Sequence, residues 1–164
     1  MPDVVITGDW KLVSFLREVS TAIDAQIKAR PYAAAQLIRT EMLNLLSGQR
    51  EGRTYRVPGT QRTYQASRPG EPPAVMLGDL RRSVKAENVE SGFGEGEAIV
   101  GATMEYAPWL EFGTGRAGAA KQQEDVPEGY VHGPKPGMAP RPFLRPAIER
   151  TREQVRRVLE QRMP

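Results

Sequence analysis

The sequence predicts an α+β protein in which a small, mainly antiparallel sheet packs against amphipathic helices from the N- and C-terminal ends, with two long extended loops. Three observations predict this class. Apolar residues recur at helical spacing near both termini. Two β-rich runs flank a glycine-rich turn. The 164 residues also include 16 glycines and 14 prolines, concentrated in two stretches without periodicity. This length is typical of a single domain, here 1–164.

Two consecutive helices are predicted at the N-terminal end, over about 9–30 and 31–47. The first begins at Asp9, a residue type that caps helix N-termini, and carries apolar positions spaced by three or four: Leu12, Leu16, Val19, Ile23 and Ile27. Proline removes a backbone donor and clashes with the preceding turn, so Pro31 predicts a kink or a fresh helical start. The second helix has one apolar face and stops at Gly48; the face consists of Ala34, Ile38, Met42 and Leu45.

A hairpin is predicted over about 84–103, with its turn in the glycine-rich run 91–96. Small and apolar residues occupy both faces of its second strand, so we expect both faces to be largely buried. Short helical pieces are expected at 78–83, capped by Asp79, and at 104–112, broken near Pro108. The final helix is predicted over about 142–162 from a repeat of Leu144, Ile148, Val155 and Leu159. A short β-branched run at 4–6 could supply one further strand.

The stretches 49–78 and 113–140 are predicted to be extended arms. The run 68–74 contains Pro69, Pro72 and Pro73, and proline favours an extended path. Ordering a backbone costs about 1–2 kcal/mol per residue, more than the predicted core can supply for two such loops. We therefore expect the arms to stay disordered until they lie on a partner.

Composition excludes most enzyme chemistry. With no cysteine there is no disulfide, thiolate metal site or thiol nucleophile, and the single histidine, His132, has no nearby second ligand or base. Residues 113–118 match G-x-G-x-x-G but lack the strand before it and the helix after it, so we expect a plain loop. The neighbouring acids at 95 and 97, and at 124 and 125, are expected to be solvated. We expect no enzymatic activity, cofactor or metal.

Charge is distributed in blocks although the net charge is only +3. Residues 1–49 are neutral. Residues 50–85 carry eight basic and three acidic side chains, 86–128 carry two basic and nine acidic, and 129–164 again carry eight and three. Three interpretations of such blocks stay open: ordinary solvated faces, contacts with nucleic acid, or a positive surface that meets the negative surface of a neighbouring copy.

Nucleic-acid binding is the main alternative that the residues themselves suggest. Eighteen arginines outnumber five lysines, and tyrosines alternate with arginines at 53–56 and 62–64. Arginine contacts phosphate well, and aromatic rings stack on single-stranded bases. No helix-turn-helix, zinc-finger or RNA-recognition signature accompanies them. The pattern is therefore compatible with a sequence-nonspecific binding module.

No run of about 18 apolar residues is present, and the N-terminus lacks the basic-then-apolar order of a signal peptide. We expect no membrane contact and a cytoplasmic location after synthesis.

Two separated stretches resemble one family. Tyr106-Ala-Pro-Trp-Leu-Glu-Phe-Gly-Thr114 is followed, after a variable loop, by Ala139-Pro-Arg-Pro-Phe-Leu-Arg-Pro-Ala147 and a terminal helix. The upstream runs 52–55, 66–74 and 78–83 also match in kind and order. Together they look like the tail-component, or head–tail joining and tail-completion, family of long-tailed bacteriophages, typified by the tenth gene product of a lambdoid coliphage. The resemblance covers about 9–160. The loop 114–139 is longer and more polar than the family's minimal form.

The resemblance implies a small α+β subunit of a ring, typically of about six copies, in the phage neck. Its partners would be further copies of itself, the adjacent head-completion or connector protein, and the tail-tube or tail-terminator protein. Genomic DNA would pass through the lumen without sequence-specific contact. The expected location is the virion neck or tail, and the host cytoplasm during assembly. A tail-terminator ring protein is the nearest alternative role.

The candidate functional residues fall into two groups. The first group lies in the two motifs, and its residues either pack in the core or contact a partner directly. It comprises Tyr106, Trp109, Glu111, Phe112, Gly113, Thr114, Arg141, Pro142, Phe143 and Leu144. Pro142 is expected to start the last helix, so that Phe143 and Leu144 clamp it onto the sheet. The second group consists of the expected partner contacts of the first arm: Arg53, Tyr55, Arg56, Tyr64, Pro69, Gly70, Glu71, Pro72 and Pro73.

Overall fold

Four helices and two antiparallel two-stranded sheets make up the described chain, residues 9–114 and 137–161 of a computed structural model. The α+β class is therefore confirmed. In chain order the elements are α1 Trp10–Ser47, β1 Thr54–Arg56, β2 Thr63–Gln65, α2 Asp79–Ser83, β3 Val84–Val89, β4 Glu97–Ala102, α3 Ala107–Phe112 and α4 Leu144–Glu160. The strand predicted at 4–6, His132, and most of the second arm lie outside the described residues.

The two N-terminal helices predicted from the sequence are one helix. Helix α1 runs for 38 residues with Pro31 inside it, a length of about 57 Å at 1.5 Å per residue. Asp9 caps it as predicted, because its carboxylate accepts a hydrogen bond from the Lys11 N–H at 3.0 Å. A proline inside a helix removes one hydrogen bond but does not by itself end the helix when surrounding structure supports both sides.

The β3–β4 turn packs on α1 beside the position that Pro31 perturbs. Proline at 31 cannot donate to the Ile27 carbonyl four residues earlier. The backbone of Gly96 approaches that same carbonyl so closely that a Cβ at 96 would lie 2.3 Å from its oxygen. Next to it, the Gly94 N–H donates to the Asp24 carboxylate at 2.7 Å. The hairpin tip therefore supports α1 at its proline.

The core lies between the C-terminal half of α1, helix α4 and the β3–β4 sheet. Met42, Leu46, Val84, Phe143 and Ala147 are its most completely buried members. The apolar face predicted for the second half of α1 is confirmed in this cluster. The first half differs from the prediction, because its apolar positions from 12 to 23 remain exposed. Helical periodicity is present there, but nothing in the described chain covers it.

The predicted hairpin is confirmed as the β3–β4 pair, in the register Val84 opposite Ala102 and Val89 opposite Glu97. The expectation that both strand faces would be buried is wrong. Val100 and Ala102 pack against the core cluster, whereas Ile99 is 61% exposed on the opposite face. A two-stranded sheet with helices on one side has a solvent-facing surface on the other.

The remaining helices form near their predicted positions with shifted ends. Gly78, at φ 85°, occupies the cap of α2, and Asp79 lies in its first turn. Pro108 lies in the first turn of α3 and does not break it. Helix α4 begins at Leu144, so Pro142 precedes the helix. Within the described residues, no helix is long and apolar enough to cross a membrane.

Candidate functional site

The two motifs meet at Glu111, whose carboxylate caps helix α4. Its oxygens accept hydrogen bonds from the backbone N–H groups of Phe143, Leu144 and Arg145 at 2.8, 3.0 and 3.0 Å. Glu111 is 6% exposed. Phe143, at the cap position, provides no side-chain cap of its own. A carboxylate is favourable at the positive end of the helix dipole and satisfies donors that have no partner inside the helix. Glu111 therefore has a structural role.

Aromatic residues of the two motifs divide between the protein interior and its surface. The guanidinium of Arg145 lies over the Phe112 ring, 4.9 Å from its centroid, which ties α3 to α4 a second time. Gly113 then turns the chain with φ 74°. Trp109 is 50% exposed, so half of its large apolar surface is available to another molecule. Phe143 is 2% exposed and belongs to the core.

The ends of the second arm are joined where they leave the described structure. The Thr114 N–H donates to the Met138 carbonyl at 2.8 Å, and the Met138 N–H donates to the Thr114 hydroxyl at 2.9 Å. The segment between them therefore leaves and returns at one place, beside the motif.

The first arm is structured by contacts within the chain. Its β1–β2 hairpin pairs Tyr55 with Tyr64, and their ring centroids lie 6.0 Å apart. The paired part of the arm begins at Gly52, whose N–H donates to the Ala66 carbonyl at 2.9 Å in an approach too close for any Cβ. These contacts differ from the expectation of an extended arm that orders only on a partner. Backbone pairing across the arm offsets the ordering cost that composition alone suggested.

A buried arginine fixes the base of this arm. The guanidinium of Arg50, a residue only 8% exposed, donates to the carbonyls of Leu45, Gly48, Gln49 and Pro73. Leu45 lies in the last turn of α1, where carbonyls lack helical partners, and Gly48 and Gln49 follow directly after the helix. Burial lowers the pKa of Arg50, and the nearby Glu71 carboxylate opposes that shift; arginine nevertheless stays charged at neutral pH.

Glu71 links the proline-rich part of the arm to the base of the arm. Its carboxylate accepts hydrogen bonds from the backbone N–H groups of Arg68 at 2.8 Å and Glu51 at 3.3 Å. The hydrogen bond from Arg68 is the main reason why the pKa of Glu71 lies below its usual value. The predicted contact residue Glu71 is thus engaged within its own chain.

The arm and the second motif are also joined directly. The N–H of Gly70 donates to the Pro140 carbonyl at 2.9 Å. Arg141 donates from its backbone N–H to the Leu110 carbonyl at 2.7 Å and from its guanidinium to the Ser67 carbonyl at 3.4 Å. Three sequence-distant segments, the arm, α3 and the start of α4, therefore form one hydrogen-bonded unit, which we call the motif junction.

A groove of about 290 Å³ runs along the motif junction between the arm and α3. Tyr106 lines it, and the pKa of its hydroxyl is raised by burial first and by Asp79 second. Exposed apolar side chains lie on the adjacent stretch of this chain, at Val75, Met76 and Leu77. The groove is lined by Tyr64, Ala66, Ser67, Pro73, Ala74, Met76, Leu80, Tyr106, Leu110 and Arg141.

The remaining candidate residues of the arm differ in exposure. Arg53, Arg56 and Tyr55 face solvent on the β1–β2 hairpin, whereas Tyr64 is half-buried. The Arg56 guanidinium bonds the Thr60 carbonyl and the Gln61 side chain. Of the proline-rich run, Pro69 and Gly70 are exposed, Pro72 is half-buried and Pro73 is buried. The exposed members remain available for contact with another molecule.

Sequence reasoning missed Arg50. The available signal was its position two residues after the glycine that ends α1, where unpaired helix carbonyls attract a donor. It also left open whether Glu111 packs or binds, and the structure places it as the α4 cap.

The described residues contain no group of three or more His, Asp or Glu side chains that could hold a metal ion. No known protein family, curated protein or solved structure matches the chain. The resemblance to phage neck proteins therefore stays a prediction that rests on the sequence motifs.

Proposed function

We propose that this chain is a non-enzymatic structural protein of the neck of long-tailed bacteriophages. It would act as one subunit of a ring that joins the head connector to the tail and through which the genome passes. Its location would be the virion neck, reached from the host cytoplasm during assembly. Tail completion and tail termination are both ring functions at this place, and the tail-terminator role is the nearest alternative.

The observation that carries the proposal is the motif junction. The sequence runs that resemble the neck family lie far apart along the chain, yet the Glu111 carboxylate and the Arg141 backbone N–H join them by hydrogen bonds. A set of motifs that forms one physical unit supports common ancestry of the whole arrangement better than any single motif does. Trp109 and Tyr55, both about half exposed, provide apolar contact area around it.

The direct test is in vitro joining of heads and tails. Particles are prepared from the phage genome that carries this gene, with the gene disrupted, and purified protein is added. We expect infectious particles to be restored by the protein and by an Arg157→Glu control, whose side chain is exposed outside the motif junction. Restoration without any added protein would contradict the proposal.

The charge blocks suggest how neighbouring copies attract one another. Block 50–85 is basic and block 86–128 is acidic, so contact between copies would bring opposite charges together. Arg53→Glu with Arg56→Glu is expected to weaken assembly, and more so at low salt, where charges are less screened. The same Arg157→Glu variant serves as the matched control. Assembly that is unaffected by the double reversal would count against this arrangement.

Nucleic-acid binding is the second candidate because Arg53, Tyr55 and Arg62 are all exposed on the β1–β2 hairpin. An arginine and aromatic surface of this kind suits nonspecific contact with a nucleic-acid backbone and its bases. Gel shift at increasing salt separates the two candidates. Steep salt-dependent binding by the isolated protein favours this one, and ring formation without binding favours the neck subunit.

A further inference from the structure

The N-terminal part of α1 extends away from the core. Residues 10–23 are exposed, with the exception of half-buried Ser20. The side-chain hydrogen bonds that this part makes with described residues stay within the helix and its Asp9 cap. In the described chain, the first hydrogen bond from α1 to another element comes at Asp24, where the turn between β3 and β4 reaches the helix.

Two contacts, which together we call the latch, join that turn to α1. In the first, the Gly94 N–H donates to the Asp24 carboxylate at 2.7 Å. Asp24 also pairs with Lys28 at 2.8 Å, and the hydrogen bonds from Lys28 and then from Gly94 hold the pKa of Asp24 below its usual value. In the second, the backbone of Gly96 lies against the Ile27 carbonyl, too close for a Cβ. The latch therefore combines an ionic acceptor with a close backbone approach.

The weak point of α1 lies one turn after the latch, at Pro31. Proline has no N–H to donate to the Ile27 carbonyl, and its ring crowds that carbonyl. Sharp bends in helices occur at a few kinds of position, of which proline is the foremost. Directly after the proline, Ala34 and Ala35 are buried, and Met42 belongs to the core. The helix is thus fixed on the C-terminal side of Pro31, whereas the described chain holds its N-terminal side at the latch.

We propose that residues 10–30 of α1 form a lever that swings about Pro31, and that the latch holds this lever in line with the rest of the helix. The lever is about 32 Å long at 1.5 Å per residue. A bend of about 20°, the lower limit of a sharp kink, moves its N-terminal end by about 11 Å. This conformational device goes beyond the proposed function and does not depend on it.

The composition of the turn suits a contact that opens. Gly92, Gly94 and Gly96 all lie in it, and glycine changes backbone conformation with little steric cost. Within the turn, the hydrogen bond from the Glu95 N–H to the Gly92 carbonyl is long, at 3.3 Å. Phe93 is 72% exposed and directly precedes Gly94, so a molecule that binds this ring contacts the turn next to the latch.

Distances between paired spin labels test the lever, and the natural chain has no cysteine to interfere. The lever pair, Ser14→Cys with Arg157→Cys, places one label on the lever and one on α4. The body pair, Thr40→Cys with Arg157→Cys, places both labels beyond the hinge, and all three positions are exposed. Labelled protein is diluted with unlabelled protein so that the distances measured lie within one copy. With the latch intact, we expect one narrow distance distribution for each pair.

Opening of the latch should affect the lever pair alone. Asp24→Ala with Gly96→Ala removes the carboxylate acceptor and forces the turn away from the Ile27 carbonyl. We expect the lever-pair distribution to spread by up to about 9 Å, the displacement that a bend of about 20° gives at position 14. The body-pair distribution should stay narrow. Alanine is a better helix former than aspartate, so the spread does not reflect a lower helix propensity at position 24.

Removal of the proline tests where the helix bends. Pro31→Ala supplies an N–H to the Ile27 carbonyl, and in the open-latch variant we expect it to narrow the lever-pair distribution again. The matched control is Gly101→Ala, whose added Cβ has no atom within 4 Å and which should leave both distributions narrow.

Three results would overturn the proposal. A lever-pair distribution that stays narrow in the open-latch variant would show that the turn does not hold the lever. One that stays broad after Pro31→Ala would show fraying of the helix and not a hinge at the proline. Broadening of the body pair, or equal broadening in Gly101→Ala, would show that the substitutions disturb the core instead.

Discussion

The carboxylate of Glu111 connects two motifs through contacts with residues 32 to 34 positions further along the chain. It accepts hydrogen bonds from three backbone N–H groups at the start of α4, where the helix dipole favours a negative charge. The residue type was identified from the sequence as part of a motif, but its role depends on a contact across 32 positions, which periodicity does not report. Local patterns predict elements, whereas such a cap requires the tertiary structure.

Removal of this cap should destabilise the protein measurably. Glu111→Ala leaves three N–H groups at a buried helix end without their acceptor, and we expect a loss of about 1–3 kcal/mol in the free energy of unfolding. Chemical denaturation measures it. Glu149→Ala is the control, since Glu149 is exposed on α4 and its loss should change stability by less than about 0.5 kcal/mol. Equal effects of the two substitutions would contradict the capping role.

Phe143 tests whether the second motif packs in the core. Its side chain is 2% exposed, and Phe143→Ala is expected to cost about 3–5 kcal/mol through lost burial and a remaining cavity. Thermal melting reports the change. Ile99→Ala removes an apolar side chain that is 61% exposed and should leave the melt nearly unchanged. An unchanged melt for Phe143→Ala would rule out the core assignment.

At the scale of elements, α1 shows both the strength and the limit of sequence patterns. Apolar spacing after Asp9 correctly predicted a helix, yet the same spacing does not say what covers the apolar face. Pro31 was correctly identified as a perturbation, but the supporting contact comes from Gly96, far along the chain. The spacing of apolar residues does not report this long-range contact beside Pro31, and α1 continues through the proline.

Gly96→Ala should disturb this support. A Cβ would lie 2.3 Å from the Ile27 carbonyl oxygen, so the hairpin tip must move away from α1. We expect a loss of about 1–3 kcal/mol, as for other overpacked contacts, and faster hydrogen exchange of the Gly94 amide. Gly101→Ala is the matched control, because no atom lies within 4 Å of its added Cβ. Unchanged exchange at Gly94 in Gly96→Ala would contradict the contact.

The arm depends on Arg50 in the same way. Arg50→Ala leaves carbonyls of the α1 end and of Pro73 without their donor, so the arm should open more often. Faster chymotrypsin cleavage after Tyr55 and Tyr64 is the expected result. The Arg53→Ala variant, which lacks an exposed arginine of the hairpin, should be cleaved by chymotrypsin at the rate of the natural protein. Equal cleavage rates for both variants would show that Arg50 does not hold the arm.

At the scale of the whole molecule, the sequence predicted the fold class but not which side chains lie at the surface. The end helices, the 84–103 hairpin and the absence of cysteine chemistry followed from the sequence. The arm did not, because its order depends on Arg50 and Glu71 contacting backbone groups about twenty residues away. Helical spacing also predicted packing for the first half of α1, where the apolar side chains are exposed, because apolar residues on an exposed face and those in the core have the same spacing.

The molecule that results is a small core with an unusually exposed helix end and a rigid motif junction. Both features suit the proposed role of a subunit that contacts neighbouring copies. Opposite charge blocks along one chain agree with such contacts.

Light scattering measures the mass of the protein alone and after addition of purified tails or heads, and so tests directly whether copies of the chain assemble. We expect the 18.2 kDa chain to form a ring of about six copies, near 109 kDa, either alone at high concentration or on its partner particle. A chain that stays at 18.2 kDa in the presence of both tails and heads, and binds neither, would contradict it.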